Sequence, residues 1–291
     1  MPESGRSILK NRIKNTSRAS KPRIKRKKVK KNFSAGKYIL LPLLLAGVMF
    51  VSWHYRYPIY YFITKATAND RKPSITNEMR IFDVLNAHKD RVIGFDVSQY
   101  QGVIDWKNLQ NVQDSFQLDF VFIRATAGRN VTDRKFRRNW RQSKKQDFIR
   151  GAYHYYRPNE NSILQADNFI KAVKLEKGDL PPVLDIESMP NIQSMDSLKK
   201  GLKRWLGRVE AHYGIKPIIY TSNSFYNDYL YEDFEEYSCW IANYNFYVET
   251  IDRDWDFWQF TEEAFINGID EKVDLNIYKG SKTQLMKMLK K

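Results

Sequence analysis

Beyond residue 90 the chain alternates short, dense apolar runs with amphipathic stretches. Eight runs rich in β-branched and aromatic residues recur: VIGFDVS (92–98), DFVFIRA (119–125), GAYHYY (151–156), PVLDIE (182–187), KPIIYT (216–221), CWIANY (239–244), DFWQF (256–260) and KVDLNI (272–277). Their length and composition predict strands buried on both faces. Helical periodicity lies between the earlier ones. In SLKKGLKRWLGRVEAHYG, Leu198, Leu202, Leu206, Val209 and Tyr213 share one face, and Gly214 stands where the helix should stop. Phe136 and Trp140, four apart, mark a second helix near Asp133. A third follows Asn161 and Ser162, with Ala166, Phe169, Ile170 and Val173 inward. Strands alternating with helices predict an α/β fold of parallel strands covered by helices, and eight strands suggest a closed barrel. The last three runs are too close together for full helical crossovers, so the second half should hold fewer helices than strands.

The first 64 residues break this pattern. They carry 15 bases and 1 acid, a net +14, whereas residues 65–291 carry 34 bases and 32 acids, a net +2. The folded part therefore has no field to recruit nucleic acid, and no nucleic-acid partner is expected. Behind the basic run, Tyr38 to Trp53 is free of charge, and the aromatics Tyr55, Tyr57, Tyr60, Tyr61 and Phe62 follow it. With interfacial rings and a snorkelling Arg56, this stretch reads as a membrane span. The rival reading, a cleavable signal peptide, lacks a small-residue cleavage pattern after Trp53. The expected organisation is a basic cytoplasmic tail (1–36), a transmembrane signal anchor (37–62), a stalk or linker (63–90) with a lead-in helix at 78–88, and a folded domain (91–291). Positive charge before the span predicts a cytoplasmic N-terminus and a folded domain outside. A single cysteine, Cys239, excludes an internal disulfide, and its apolar setting predicts a packed thiol. No metal-ligand cluster and no phosphate-cradling glycine loop occurs, so neither metal nor cofactor is expected.

Acids stand at the ends of the predicted strands. Asp96 lies near the end of the first, Asp185 and Glu187 end the fourth, and Asp274 lies in the eighth. Functional groups of a parallel barrel collect at the C-terminal ends of its strands. The first and eighth strands are neighbours in a closed barrel, which should bring Asp96 and Asp274 together opposite Asp185 and Glu187. Residues two apart on a strand face the same side, so the last two should share one cavity. Carboxylates crowded there raise one another's pKa, giving a protonated acid beside an ionised one, the pairing that glycoside hydrolysis uses. Taken alone, D-x-E is a weak signal and fits strand-end turns as well; four acids at matching positions are a stronger one. Tyr100, Tyr153, Tyr155, Tyr156, Tyr220, Trp240, Tyr244 and Trp258 lie within or just after strands, and flat rings with a polar tip suit sugar faces.

These residues carry a resemblance. The ordered series GFDVSQYQGVIDW (94–106), FVFIRATAG (120–128), DRKFRRNW (133–140), GAYHYYRP (151–158), PVLDIE (182–187), KPIIYTS (216–222), CWIANY (239–244), FWQF (257–260) and VDLNIYKGS (273–281) resembles the family 25 glycoside hydrolases, the Chalaropsis-type lysozymes or N-acetylmuramidases, over residues 92 to about 285. The resemblance implies an irregular, flattened TIM-like β/α barrel of about eight strands. It implies hydrolysis of the β-1,4 bond between N-acetylmuramic acid and N-acetylglucosamine in peptidoglycan glycan strands. It casts Glu187 as general acid/base, Asp185 as its partner, and Asp96 and Asp274 as the rest of an acidic cluster. Tyr100, Tyr153, Tyr155, Tyr220, Trp240, Tyr244, Trp258 and Gln259 are the expected substrate-binding set. Two positions depart from many relatives: Ala127 replaces a Glu after Ala-Thr, and Gln99-Tyr100 replaces a segment with a His. Three readings stand at this point: a membrane-anchored muramidase, a wall-binding module without turnover, and a barrel glycosidase acting on another N-acetylated glycan. Whether a carboxylate or the substrate acetamide attacks the sugar also stays open.

Overall fold

The computed structural model describes residues 43–50, 75–245 and 255–291. The tail at 1–36, residues 37–42 and 51–62 of the expected span and residues 63–74 of the expected stalk lie outside the described residues. Within the expected span, residues 43–50 are helical and expose Leu43, Leu44, Leu45, Val48, Met49 and Phe50. Among the described residues, no helix is long and apolar enough to cross a membrane.

The rest of the described chain builds one barrel. Its elements are helix α1 (Ile75–Ala87), strand β1 (Val92–Val97), a small hairpin of β2 (Asn111–Val112) and β3 (Phe116–Gln117), β4 (Phe120–Ala127), β5 (Val131–Thr132), α2 (Phe136–Lys145), β6 (Ile149–Tyr155), α3 (Ser162–Ala172), β7 (Val183–Asp185), α4 (Met195–Tyr213), β8 (Ile218–Ser222), β9 (Cys239–Ala242), β10 (Phe257–Ala264), β11 (Val273–Tyr278) and α5 (Lys282–Met288). The sheet order is β1-β11-β10-β9-β8-β7-β6-β4-β5, and a further pairing of β1 with β4 closes the ring. All eight predicted strands are present in it, with β5 as an edge hairpin on β4. Helices α2, α3 and α4 make the crossovers after β4, β6 and β7. Only short helical turns at 223–234 follow β8, so the second half has the irregularity that its short spacings predict.

One strand departs from the parallel expectation. β1, β4, β6, β7, β8, β9 and β10 run parallel, but β11 is antiparallel to both β10 and β1. The reason is the link. The segment between Ala264 and Val273 is too short to return the chain to the starting edge of the sheet, so it reverses direction. The mouth formed by the C-terminal ends of the other strands thus receives the N-terminal end of β11. β7 is also shorter than the 182–187 run, because the chain leaves the ladder soon after Asp185. The amide of Ile186 still donates to the Tyr220 carbonyl.

Two layers of apolar contact hold the barrel. Outside, α4 buries Leu198, Leu202, Trp205, Leu206, Val209 and Tyr213. Ser194 caps its N-terminus by accepting from the Ser197 amide, and Gly214 ends it in the left-handed conformation at φ 68°. α1 forms where a lead-in helix is predicted, and its Ile81, Val84 and Leu85 are fully buried in the same outer core. Inside, aromatic rings cross the barrel: Phe122 stacks on Trp240 at 4.4 Å, and Phe257 meets both Phe120 and Phe122 edge-on. Leu285 and Leu289, from α5 and the residue after it, join Val92 and Leu180 in this inner cluster. The rings need space that only glycine leaves. A methyl on Gly94 would sit 2.5 Å from the Phe120 ring and 2.5 Å from its carbonyl oxygen, and one on Gly151 would sit 2.5 Å from the Phe122 ring.

Gly94→Ala should therefore destabilise the fold by about 1–3 kcal/mol, since a backbone oxygen cannot step aside. Gly207→Ala, on the exposed side of α4 with nothing within 4 Å of the added carbon, should stabilise it by about 0.5–1 kcal/mol. Denaturant midpoints measured on the full-length protein check both signs.

Candidate active site

Strand parity places the site. On β1 the alternation that sends Ile93, Phe95 and Val97 outward turns Val92, Gly94 and Asp96 inward. Asp96 pairs in register with Asp274 on antiparallel β11. Directly opposed residues bring their Cβ atoms to about 4.5–5.5 Å, so two like charges there repel. Across the mouth stands β7, three strands from β1 in one direction and five in the other. It carries Asp185, buried, and then Glu187, exposed at the rim. The structure thus brings all four sequence-predicted acids to one opening.

A polar network supports Asp96. Its Oδ2 accepts from Gln259 Nε2 at 2.7 Å and from Asn276 Nδ2 at 2.8 Å. Gln259 Oε1 accepts in turn from the Tyr220 hydroxyl at 2.7 Å and from the Tyr244 hydroxyl. Asn276 Oδ1 accepts from Trp240 Nε1 at 2.8 Å. Sequence reasoning missed Asn276. Its signal was available, since it stands two residues beyond Asp274 and faces the same way.

Every one of the four acids has a raised pKa. For Asp274 burial is the largest cause, and the neighbouring Asp96 adds to it. Asp96 is also raised by burial, but less, because the amide donors of Asn276 and Gln259 favour its charged form. Asp274 is therefore the partner that keeps the proton of this pair. Burial raises Asp185 well above the carboxylate range, and Glu187 raises it further. Glu187 is raised by desolvation in the cleft, while its hydrogen bond with Asp185 pulls the other way. Each carboxyl therefore acts on the protonation of the other. Asp185 Oδ1 is buried without a hydrogen-bond partner among the described residues.

The expected aromatic set divides by depth. Tyr100 is 71% exposed and Tyr244 40% exposed, both at the rim. Tyr155 lines a cavity beside the acids. Tyr153 and Tyr220 lie deeper, where burial raises both phenols well above their ordinary value. Two expectations are corrected. Trp240 is 2% exposed and forms the floor of the site, stacked on Phe122, so it offers no free face to a sugar. Trp258 faces away from the mouth. With Phe257 and Gln259 inward, parity turns Trp258 outward, where it packs on His88, Trp255 and Phe260 and donates to the Asn243 carbonyl. Cys239 is a packed thiol, its pKa raised to about 11 by burial. Among the described residues, no cluster of His, Cys, Asp and Glu could hold a metal.

The family model of Glycosyl hydrolases family 25 matches residues 95–269. The protein YegX of Escherichia coli K12 is 38% identical over 196 residues, which cover 66% of this chain and 71% of that one. Lysozyme M1 of Streptomyces globisporus is 31% identical over 210 residues, covering 67% of this chain and 70% of that one. Among solved structures, a family 25 glycosyl hydrolase from Bacillus anthracis superposes with a TM-score of 0.62 at 30% identity, covering 68% of this chain and 94% of that one.

The proton held by Asp274 has a measurable consequence. A raised carboxyl pKa means that the folded state keeps a proton the unfolded chain releases. Stability then falls as pH rises from the ordinary carboxylate range near 4 towards the raised value, and is unaffected below it. Thermal unfolding of the full-length protein should show a melting temperature that declines from about pH 5 to about pH 9. Asp274→Asn should flatten that decline and melt higher at the alkaline end, by about 2–4 °C for each kcal/mol recovered. Identical profiles for the two proteins would mean that Asp274 titrates as an ordinary acid.

Proposed function

The chain belongs to glycosyl hydrolase family 25, and from that premise we propose that it is a muramidase that cleaves the β-1,4 bond following N-acetylmuramic acid in peptidoglycan. One observation carries the reading: two carboxyls, Asp185 and Glu187, both raised by desolvation, stand two residues apart at a mouth lined by two further acids. The lysozyme named among the relatives supports the substrate class.

In this reading Glu187, at the open rim, is the general acid/base. Its raised pKa favours the protonated form, and it delivers that proton to the glycosidic oxygen as the bond breaks. The other product is a sugar centre of oxocarbenium character, and nearby carboxylates offset its charge. Asp185 is its partner. Its Oδ1, without a hydrogen-bond partner among the described residues, is an acceptor suited to the N–H of the substrate's 2-acetamido group. An acetamide so oriented turns its carbonyl oxygen towards the anomeric carbon, which favours substrate-assisted attack with retention. Water, deprotonated by Glu187, then completes hydrolysis. Asp96 and Asp274, tied to Gln259 and Asn276, hold the opposite wall, and Tyr100, Tyr155 and Tyr244 offer rings at the rim.

The proposal extends to place. A basic tail of 1–36 before the uncharged stretch Tyr38–Trp53 supports a signal anchor over 37–62, with the N-terminus in the cytoplasm and the barrel outside the membrane. A tethered hydrolase would act on wall close to its own membrane. Protease added to intact spheroplasts should degrade the barrel and spare the tail; a barrel recovered in the soluble secreted fraction would overturn the anchor.

Full-length protein incubated with purified peptidoglycan should release new reducing ends on muramic acid. Glu187→Gln should lower kcat/KM by about 10³-fold, within the usual range for a general acid. Activity of the wild type should fall as pH rises through the elevated pKa of the pair, because the donor is then lost. Reducing ends on glucosamine would overturn the bond assignment, and equal activity in Glu187→Gln would overturn the assigned acid.

A further inference from the structure

Beside the acids lies a second concavity of opposite character. It measures about 360 Å³ and is lined by Tyr100, Arg124, Ala127, Asp133, Tyr155 and Arg157, among others. It shares a wall with the acid cleft, since Tyr155 pairs in register with Asp185 on the next strand, and Arg124 pairs with Tyr153.

Arg124 is its most built feature. The side chain is only 15% exposed. Its Nε donates to Asp133 Oδ2 at 3.1 Å, and the Tyr100 ring lies 4.6 Å from its guanidinium carbon. Asp133 is itself almost fully buried and fixed by two more donors, the Gln99 amide at 2.8 Å and the Lys135 amide at 2.9 Å. One edge and one face of the guanidinium are thereby occupied. Nη1 and Nη2 make no hydrogen bond to a described residue, and the side chain lines the cavity. Arg157 stands on the other side, half-exposed and held by Glu160 at 3.1 Å. Between them the wall is Ala127, which brings no acid to neutralise either cation. A planar fork held by an orienting carboxylate, with its outer N–H groups unpaired, fits a two-oxygen anion.

We propose that this cavity is a carboxylate subsite, and that it receives the acidic arm of the muramic residue, the substituent by which this sugar differs from N-acetylglucosamine. The inference rests on the muramidase reading and deepens it. A strand lying across Asp185 has its neighbouring substituents beside Tyr155, and an arm reaching past that ring meets Arg124. The subsite supplies the discrimination that the acids do not, because carboxylates hydrolyse neutral and acidic glycans alike. The arm's carboxylate binds the Nη fork of Arg124, with Arg157 closing the far side.

The test uses the full-length Glu187→Gln protein, so that ligands are bound without turnover. Three tetrasaccharides are compared by calorimetry: the alternating glucosamine–muramic acid compound with free lactyl carboxylates, its methyl ester, and chitotetraose. The free acid should bind at least about tenfold tighter than the ester, a difference of about 1.4 kcal/mol, and the ester should resemble chitotetraose. Adding Arg124→Gln should reduce the preference to less than about threefold. Ala127→Glu, which leaves Arg124 in place but puts an acid in the cavity, should do the same, and Arg157→Gln should weaken it in part. Equal affinity for acid and ester in the parent, or an undiminished preference in both Arg124→Gln and Ala127→Glu, overturns the subsite. The muramidase reading is judged separately, on wild-type release of reducing muramic ends. A charge preference without such turnover leaves the subsite standing and removes the reaction.

Discussion

Four carboxyls cannot all be ionised in one desolvated opening, and most of the barrel's mouth follows from that constraint. Opposed on adjacent strands, Asp96 and Asp274 would repel strongly if both were charged. The structure resolves the conflict by making them unequal. Asp96 receives two amide donors on one oxygen, which favours its charged form, and Asp274 keeps the proton. Across the mouth the same inequality arises by depth. Asp185 is buried at the end of β7 and raised well above the carboxylate range, and Glu187, exposed two residues later, is raised as well. Pairs of titratable groups driven apart in this way give one site both an acid and a base.

The inner core exists to hold that inequality. Gln259 and Asn276 point at Asp96 because other side chains consume their remaining capacity: Tyr220 and Tyr244 donate to Gln259, and Trp240 donates to Asn276. Trp240 is in turn fixed by its stack on Phe122. The orientation of the Asp96 carboxylate is thus transmitted down to rings that cross the barrel, and from there to the glycines that leave room for them. A satisfied network of this kind is rigid, because any member that turns leaves a buried partner unpaired. The exception is Asp185 Oδ1, a buried acid oxygen without a hydrogen-bond partner among the described residues.

Much of this was legible in the chain. The eight strands, the helices around Phe136, Phe169 and Leu206, and the gathering of Asp96, Asp185, Glu187 and Asp274 follow from periodicity and from where acids interrupt apolar runs. Period two, applied further, would have found Asn276 from Asp274 and turned Trp258 outward from Gln259. The direction of β11 was harder to see, because it depends on a short link rather than on the strand's own residues. The burial of Trp240 was not legible, since ring depth is set by which strands oppose one another across the barrel. Arg124 was hidden for a related reason. Its significance comes from Asp133 and Tyr100, which are close only once β1, β4 and the turn before α2 have come together.

The arginine raises a physical difficulty whose answer ties the two halves of the mouth. A positive charge near Asp185 lowers that acid's pKa and so opposes the raised value that burial gives it. Arg124 does pull in this direction, but burial, Glu187 and Asp96 all outweigh it. Asp133 accounts for the weakness of the pull. Ion-paired to Nε and held by two backbone amides, it cancels much of the guanidinium's field at a distance while leaving the Nη groups free at contact range. A short-range anion site can therefore stand next to a long-range acidic one without ionising it. Replacing Asp133 by a neutral residue would leave the fork in place and still disturb the acids, because the compensation is electrostatic and not a matter of space.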